Sequence, residues 1–145
     1  MKAGLRTYML AGTGISAIVA ARCYSFPAPQ NATQPYIMLT RVSSAIQNLI
    51  GESLNIYDET WQVDIIAATD KAAESLAELV ITRLNIADRV EMGSYTVYAC
   101  SLSGITEGAE IQMPGGETRE SRKTLDFRIL RNREVTPPPA PPTGP

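Results

Sequence analysis

Residues 57–84 read YDETWQVDIIAATDKAAESLAELVITRL, and this stretch decides the fold. Apolar and polar side chains alternate along its first part, residues 57–66, which predicts a half-buried strand. The apolar side carries Tyr57, Trp61, Val63 and Ile65, and the polar side carries Asp58, Thr60, Gln62 and Asp64. Glu59 is an exception, an acid on the apolar side. We expect it near the start of the strand, where a side chain can still reach water.

A helix should follow this strand directly. Thr69 is a residue type that caps helices, and Asp70 would sit in the first turn, where the helix dipole favours an acid. The apolar period then changes to that of a helix, on Ala72, Ala73, Leu76, Leu79, Val80 and Leu84. Strand and helix each present one apolar face, so we expect these faces to bury each other, with Trp61 as the largest contributor.

Length and composition limit the class of protein. A chain of 145 residues, 44% hydrophobic and 19% charged, has room for one domain with one core. The net charge of -2 argues against a protein that binds nucleic acid tightly, because affinity for phosphate groups comes from clustered Lys and Arg. DNA could pass such a protein without specific binding.

The chemical inventory is poor in catalytic groups. The chain has no His, the commonest general base and zinc ligand. Cys23 and Cys100 are the only cysteines, and we expect both to be reduced, buried and small hydrophobic residues. Asp64 and Asp126 on adjacent strands could form a carboxylate pair, but acids on outward strand faces are common and no third ligand is apparent. We therefore expect no enzyme, no metal and no cofactor.

Residues 1–21 have some features of an export signal, with Lys2 and Arg6 before an apolar run. That run is interrupted at residues 12–14, however, and its apolar residues are typical of two short amphipathic helices. No later segment approaches the length needed to span a bilayer. We expect a soluble, unexported protein without membrane contact. An exported α+β protein whose signal is removed after Ala21 remains an alternative.

Three more strands are predicted, at residues 36–42, 95–102 and 123–130. The fold class is therefore α+β, with an antiparallel sheet of about four strands packed on one long helix and helical segments at the N-terminus. Residues 43–55 are predicted to form the long, flexible tip of a hairpin, and residues 85–93 a charged connection. Four basic residues lie in or next to the last strand: Arg122, Lys123, Arg128 and Arg131. We interpret them as charges on a solvent-exposed edge strand that prevent pairing with other strands.

Residues 103–121 are predicted to form a long, Gly-rich docking loop, because such loops in compact domains are usually functional or disordered. Its exposed apolar groups would mark a partner. The domain would span residues 1–134, and residues 135–145 would be a Pro-rich extended tail that lies against a partner. The candidate interface residues are Ile105, Glu107, Glu110, Ile111, Gln112 and Met113 in the loop and Pro137, Pro138 and Pro139 in the tail.

Four segments in this order resemble the tail terminator (tail completion) family of long-tailed bacteriophages. They are Arg22-Cys23-Tyr24, the run QPYIMLTRVSS at residues 34–44, WQVDI at residues 61–65 before an Ala- and Glu-rich helix, and RKTLDFRI at residues 122–129. The resemblance covers about residues 5–131. The chain departs from the family in the Gly-rich segment around Pro114 and in the Pro-rich tail.

The resemblance implies a structural virion protein, assembled in the host cytoplasm. It would form a homo-oligomeric ring, expected to be a hexamer, on the head-proximal end of the tail tube. There it would end tube polymerisation and contact the tail tube protein and the neck (stopper) protein, with DNA passing through. The Pro-rich tail would lie against an adjacent subunit or the neck protein. A small ligand-binding α+β domain is the other alternative. It would require a deep pocket lined by acidic side chains with shifted pKa values or by Cys100.

Overall fold

The computed structural model describes residues 1–12, 14–29, 32–49, 52–107, 111–112 and 119–132. Its helices are α1 (Lys2–Leu10), α2 (Ile15–Val19) and α3 (Asp70–Leu84). Its strands are β1 (Cys23–Ser25), β2 (Tyr36–Leu49), β3 (Glu52–Ala67), β4 (Val90–Met92), β5 (Tyr95–Glu107), β6 (Ile111–Gln112) and β7 (Arg119–Asn132).

The sheet is mixed, and its strands lie in the order β1-β2-β3-β7-β5-β4, with β6 paired to β7. The long strands are antiparallel, whereas β1 runs parallel to β2. These six strands form a half-barrel with a few helices. The α+β class is confirmed. Four strands on one long helix is wrong in detail, because β1 and β4 extend the sheet on both sides and α1 and α2 also contribute to the core.

Helix α3 forms as its sequence predicts. Thr69 is the N-cap, and its Oγ1 accepts a hydrogen bond from the backbone N–H of Ala72 at 3.1 Å. The buried face of α3 lies on the central strands β3 and β7. Trp61 is 1% exposed in the core that this packing creates. The buried helix residues are Ala73, Leu76, Ala77, Val80 and Leu84.

The N-terminal segment is part of the same core. Leu5 and Met9 of α1 and Ile15 and Val19 of α2 are at most 1% exposed and belong to the main hydrophobic cluster. The predicted pair of amphipathic helices broken at residues 12–14 is therefore confirmed. In the part of the chain that the structure describes, none of the helices is long and apolar enough to cross a membrane.

Every predicted strand is longer than its sequence indicated. Residues 43–55 were predicted to be a flexible tip, but β2 continues to Leu49 and β3 begins at Glu52. Paired hairpin strands satisfy each other's backbone groups, so this extension needs no apolar pattern. Residues 103–121 were predicted to be a loop, but β5 continues to Glu107 and β7 begins at Arg119. The connection at residues 85–93 contains β4.

Candidate assembly surface

Both sides of the sheet have a strand edge that is only partly covered. On one side, β1 pairs with β2 over Ile37–Leu39, and Phe26 donates one further backbone hydrogen bond to Leu39. On the other side, β4 pairs with the start of β5, and Ile86 bridges Cys100. Among the described residues, no strand pairs with the outer edge of β2 after Leu39 or of β5 after Cys100. Unpaired edges of this kind are templates for another chain.

Exposed apolar side chains lie on these same segments. Val42 in β2 is 56% exposed, and Ile105 in β5 is 52% exposed. Val42 lies where the β2–β3 register shifts, and β5 has two comparable shifts, whereas the pairing of β3 with β7 is unbroken from Ile56 to Ala67. The extra residues at Val42 and at both β5 shifts therefore lie in the outer long strands, where bulges bend a sheet and limit further pairing. A further β2–β3 shift, between Gln47 and Asn48, places its extra residues in β3 instead.

The two open edges run in opposite directions. Each of the pairs β2–β3, β3–β7 and β7–β5 is antiparallel, so β5 is antiparallel to β2 across the sheet. Two copies placed side by side in the same orientation would therefore bring β5 of one copy against β2 of the next in an antiparallel sense. This is a head-to-tail contact between different surfaces, the kind that can close into a ring.

Two hairpins extend from opposite ends of the β3–β7 ladder. At one end, β7 stops at Asn132 opposite Ile56, and the β2–β3 hairpin continues beyond it. At the other end, β3 stops at Ala67 opposite Ser121, and the pairing of β6 with residues 119–120 continues beyond it. One subunit therefore presents separate elements towards its two ends.

The basic residues of β7 do not guard an edge, contrary to the sequence interpretation. β7 lies between β3 and β5, and its basic residues meet acids of these two neighbours. Arg128 makes a bidentate contact with Asp58 at 2.6–3.0 Å. The other ion pairs of β7 within the described residues are Arg122 with Asp64, Lys123 with Glu107, and Arg131 with Glu59.

Glu59 lies inside the molecule rather than at a wet strand end, because β3 begins seven residues earlier at Glu52. Its side chain is 0% exposed. Arg131 Nε donates to Glu59 Oε1, and Arg41 Nη1 lies 3.5 Å from Oε2. The Arg131 guanidinium lies 4.6 Å from the ring centroid of Tyr57 and 4.7 Å from that of Tyr95. Glu59 and Arg131 thus form a buried ion pair, and the half-exposed Arg41 contacts the same carboxylate from the solvent side.

Asp64 is also buried, although the strand pattern placed it on the polar side. Its Oδ1 accepts from the Thr124 hydroxyl at 2.6 Å, and Arg122 Nη2 lies 3.1 Å from Oδ2. Asp126 lies opposite Gln62 in the ladder. This pair is the next one on the same face of the sheet after the pair of Asp64 and Thr124. The contacts of Asp64 are those of a structural ion pair.

The candidate interface residues have different outcomes. Ile105 and Glu107 lie in β5, on its open edge. The Glu107 carboxylate is 3.1 Å from Lys123 Nζ. Burial lowers the pKa of Lys123, but the nearby acids Glu107, Asp70 and Glu74 together raise it by more, so the pKa of Lys123 is raised overall. The backbone of Ile111 and Gln112 forms β6 against β7. The remaining candidates lie outside the described residues: Glu110, Met113, Pro137, Pro138 and Pro139.

Sequence reasoning missed a groove between α1, the end of α3 and β4. It consists of two adjoining cavities of about 290 and 380 Å³, both lined by Tyr8 and Arg83. Arg83 Cζ lies 3.9 Å above the Tyr8 ring, and Arg83 Nε donates to the Tyr8 carbonyl at 3.0 Å. Gly4 allows close contact here, because a Cβ at this position would lie 2.6 Å from the Met92 carbonyl oxygen. No sequence pattern indicated this contact between distant segments.

Both cysteines are free and buried, as predicted. Burial raises the pKa of Cys23 to about 11, against a smaller lowering by Arg6, and raises the pKa of Cys100 to about 12. Neither residue lines the Tyr8 groove. The thiols therefore behave as small core side chains.

Comparison with solved structures identifies a similar fold. A chain in the structure titled "Virion of native gene transfer agent (GTA) particle" has a TM-score of 0.71 and 16% identity, covering 92% of this chain and 95% of that chain. The Dit protein of phage SPP1, described as a paradigm of the hub adsorption apparatus in phages that infect Gram-positive bacteria, has a TM-score of 0.29 and 19% identity. It covers 68% of this chain and 41% of that chain, and this weak likeness carries no argument.

Comparison with curated proteins gave no match. The family model described as tail completion protein gp17 matches residues 3–130, which include nearly all of α1, all of α3 and nearly all of the described sheet. The resemblance inferred from sequence is thereby confirmed, and with it a place in the bacteriophage virion tail. The chain belongs to the tail completion protein gp17 family.

Proposed function

We propose that the protein forms a homo-oligomeric ring, a hexamer, that caps the head-proximal end of the tail tube. The ring ends tube polymerisation and joins the tail to the neck. The observation that carries this proposal is the pair of open, oppositely directed edges on β2 and β5. A subunit with two different edges on opposite sides can associate head to tail. Repeating this contact gives a closed ring when the rotation angle between neighbouring subunits is a whole fraction of a full turn.

The two projecting hairpins support the axial part of the proposal. A cap between a tube and a neck needs one contact surface facing the tail tube protein and another facing the stopper protein. The β2–β3 hairpin and the β5–β7 hairpin extend from opposite ends of the β3–β7 ladder. Each would therefore contact one of these two partners.

The role is structural rather than enzymatic, and DNA passes through the ring without specific binding. Clustered, unpaired Lys and Arg would attract the phosphate backbone. In the described sheet, each basic residue of β7 from Arg122 to Arg131 instead faces an acid, and the chain as a whole carries a net charge of -2. The basic residues of β7 therefore do not form a cluster of unpaired charge that would retain DNA.

Oligomer size with edge variants tests the ring. Val42→Asp and Ile105→Asp each place a charge on one open edge, and we expect both to give folded monomers in light scattering while the parent gives one closed oligomer. Ile18→Asp is the matched control, since Ile18 is an exposed apolar residue of α2 and lies in neither β2 nor β5. Ile18→Asp should assemble as the parent does.

Tail length then tests the cap. Tube protein polymerised with the parent should give tails of defined length in electron microscopy, and tube protein with either edge variant should overgrow. A parent that stays monomeric at high concentration and in the presence of tail tube would refute the ring. Edge variants that assemble normally would refute the edges as its contact.

A further inference from the structure

We propose that the groove at Tyr8 and Arg83 is the docking site of the chain's own Pro-rich segment, residues 136–142, bound to the same subunit. This inference does not depend on the ring, because the groove lies between α1, α3 and β4 and includes neither open edge. It gives the tail a host on its own domain, where the sequence analysis expected an adjacent subunit or neck protein.

The route from the sheet to the groove is short. The described chain ends at Asn132, whose Oδ1 accepts from the backbone N–H of Thr96 at 2.7 Å. The Thr96 hydroxyl donates to the Glu91 carboxylate at 3.1 Å. Glu91 and Met92 line the groove. Residues 133–135 can span about 10 Å, so the Pro-rich segment begins within reach of the groove.

Hydrogen-bonding capacity is complementary between the groove and the segment. Residues 136–142 read TPPPAPP, and proline has no backbone N–H, so the backbone of this segment offers mainly carbonyl acceptors. Arg83 is a pure donor with five N–H groups. Within the described residues its one hydrogen bond uses Nε, which leaves the terminal nitrogens on the groove wall. The Tyr8 hydroxyl adds a further donor.

Shape is complementary too. A polyproline strip has apolar rings along its surface and loses little conformational entropy on docking, and it binds in grooves lined by aromatic rings. The Tyr8 ring, with Arg83 over one of its faces, supplies the aromatic part of the wall. Small residues line the groove in α1 and just after it, namely Ala3, Gly4, Ala11 and Gly12.

Disulfide trapping in the full-length protein tests the docking. Thr7 lines the groove and is exposed, so Thr7→Cys combined with Thr143→Cys places one thiol in the groove and one just after the segment. The matched control combines Thr143→Cys with Ser75→Cys, an exposed residue of α3 eight positions, or about 12 Å along the helix axis, before Arg83. Cys23 and Cys100 will not compete, because they are buried and their raised pKa values keep them protonated near neutral pH.

We expect the Thr7 pair to form a disulfide within one chain about tenfold faster than the Ser75 pair, because docking raises the effective concentration of the tail thiol at the groove. An excess of the free peptide corresponding to residues 136–143 should slow the Thr7 pair to the control rate. Circular dichroism establishes that both double variants fold. Equal rates for the two pairs, no effect of the peptide, or a disulfide formed mainly between two chains would overturn the proposal.

Discussion

Removing Arg131 should destabilise the domain far more than removing Arg128, although both residues pair with an acid of β3. Arg131 and Glu59 have side chains 8% and 0% exposed, whereas Arg128 is 56% exposed. Breaking a buried ion pair leaves an uncompensated buried charge, so Arg131→Met should cost about 3–5 kcal/mol. Arg128→Met breaks a pair that water can replace and should cost at most about 1 kcal/mol.

The double variant Glu59→Met/Arg131→Met separates the cost of an orphaned charge from the worth of the pair. Replacing both partners removes two desolvated charges and fills the space with apolar atoms, so it should be within about 2 kcal/mol of the parent. Arg41 is the other cation near Glu59, and at 51% exposure it reaches water when Glu59 is lost. The double variant should therefore be more stable than the Arg131→Met variant.

Urea unfolding at one fixed protein concentration measures these differences. Trp61 is the only tryptophan and is 1% exposed, so its fluorescence reports the loss of the core. Arg131→Met should also lower the melting temperature by roughly 10 °C. A cost for Arg131→Met no larger than that for Arg128→Met, or a double variant no more stable than Arg131→Met, would refute the reasoning about the buried ion pair.

Two further predictions concern the core. Trp61→Ala should cost about 3–5 kcal/mol and leave little folded protein on expression, because the space left between the sheet and α3 cannot close fully; a variant that melts like the parent would contradict this. Ellman's reagent should label neither Cys23 nor Cys100 in the native protein at pH 8 and both after unfolding. Because burial raises both pKa values from 9.0 to about 11 and about 12, their contribution to stability is complete below about pH 9 and is lost as the pH rises through the higher values. Fast labelling of the native protein would show that one thiol is accessible.

The parts of the fold with a strong apolar period could be predicted from sequence. Residues 57–66 and 69–84 have clear periods of two and 3.6, and the structure has β3 and α3 there, with the predicted Thr69 cap. Burial creates such periods, so they disappear where a strand leaves the core. The β2–β3 hairpin beyond Ile56 has no β7 neighbour among the described residues, and its polar sequence therefore gave no strand signal.

Bulges are a second reason for error. Strict alternation places Val97 and Cys100 on opposite faces of β5, yet Val97 is 0% and Cys100 1% exposed. The register shift between Val97 and Ala99 inserts one residue and brings both side chains to the core. A period-two argument cannot detect an inserted residue, because each half of the strand still alternates correctly.

Strand order is the third reason, and it bears on the candidate site. The last strand of the sequence was expected at an edge, where its basic residues would repel other strands, but the order β3-β7-β5 places it in the centre. Ile105 and Glu107 were chosen as exposed loop residues, and they lie on an open edge only because β5, not β7, ends up outside. Which strands become edges depends on pairing between distant segments, and a single sequence does not reveal that pairing.

This central position of β7 limits how the sheet can meet a partner. The ion pairs of Arg122, Lys123, Arg128 and Arg131 are made within the subunit, so these residues have their electrostatic partners before any assembly begins. The two outer strands can therefore contact a neighbouring subunit mainly through backbone N–H and C=O groups and a few apolar side chains. Such edges would also template open-ended aggregation. The register shifts in β2 and β5 interrupt regular pairing along both edges, and on the proposed ring they confine the contact between subunits to short segments with a fixed register.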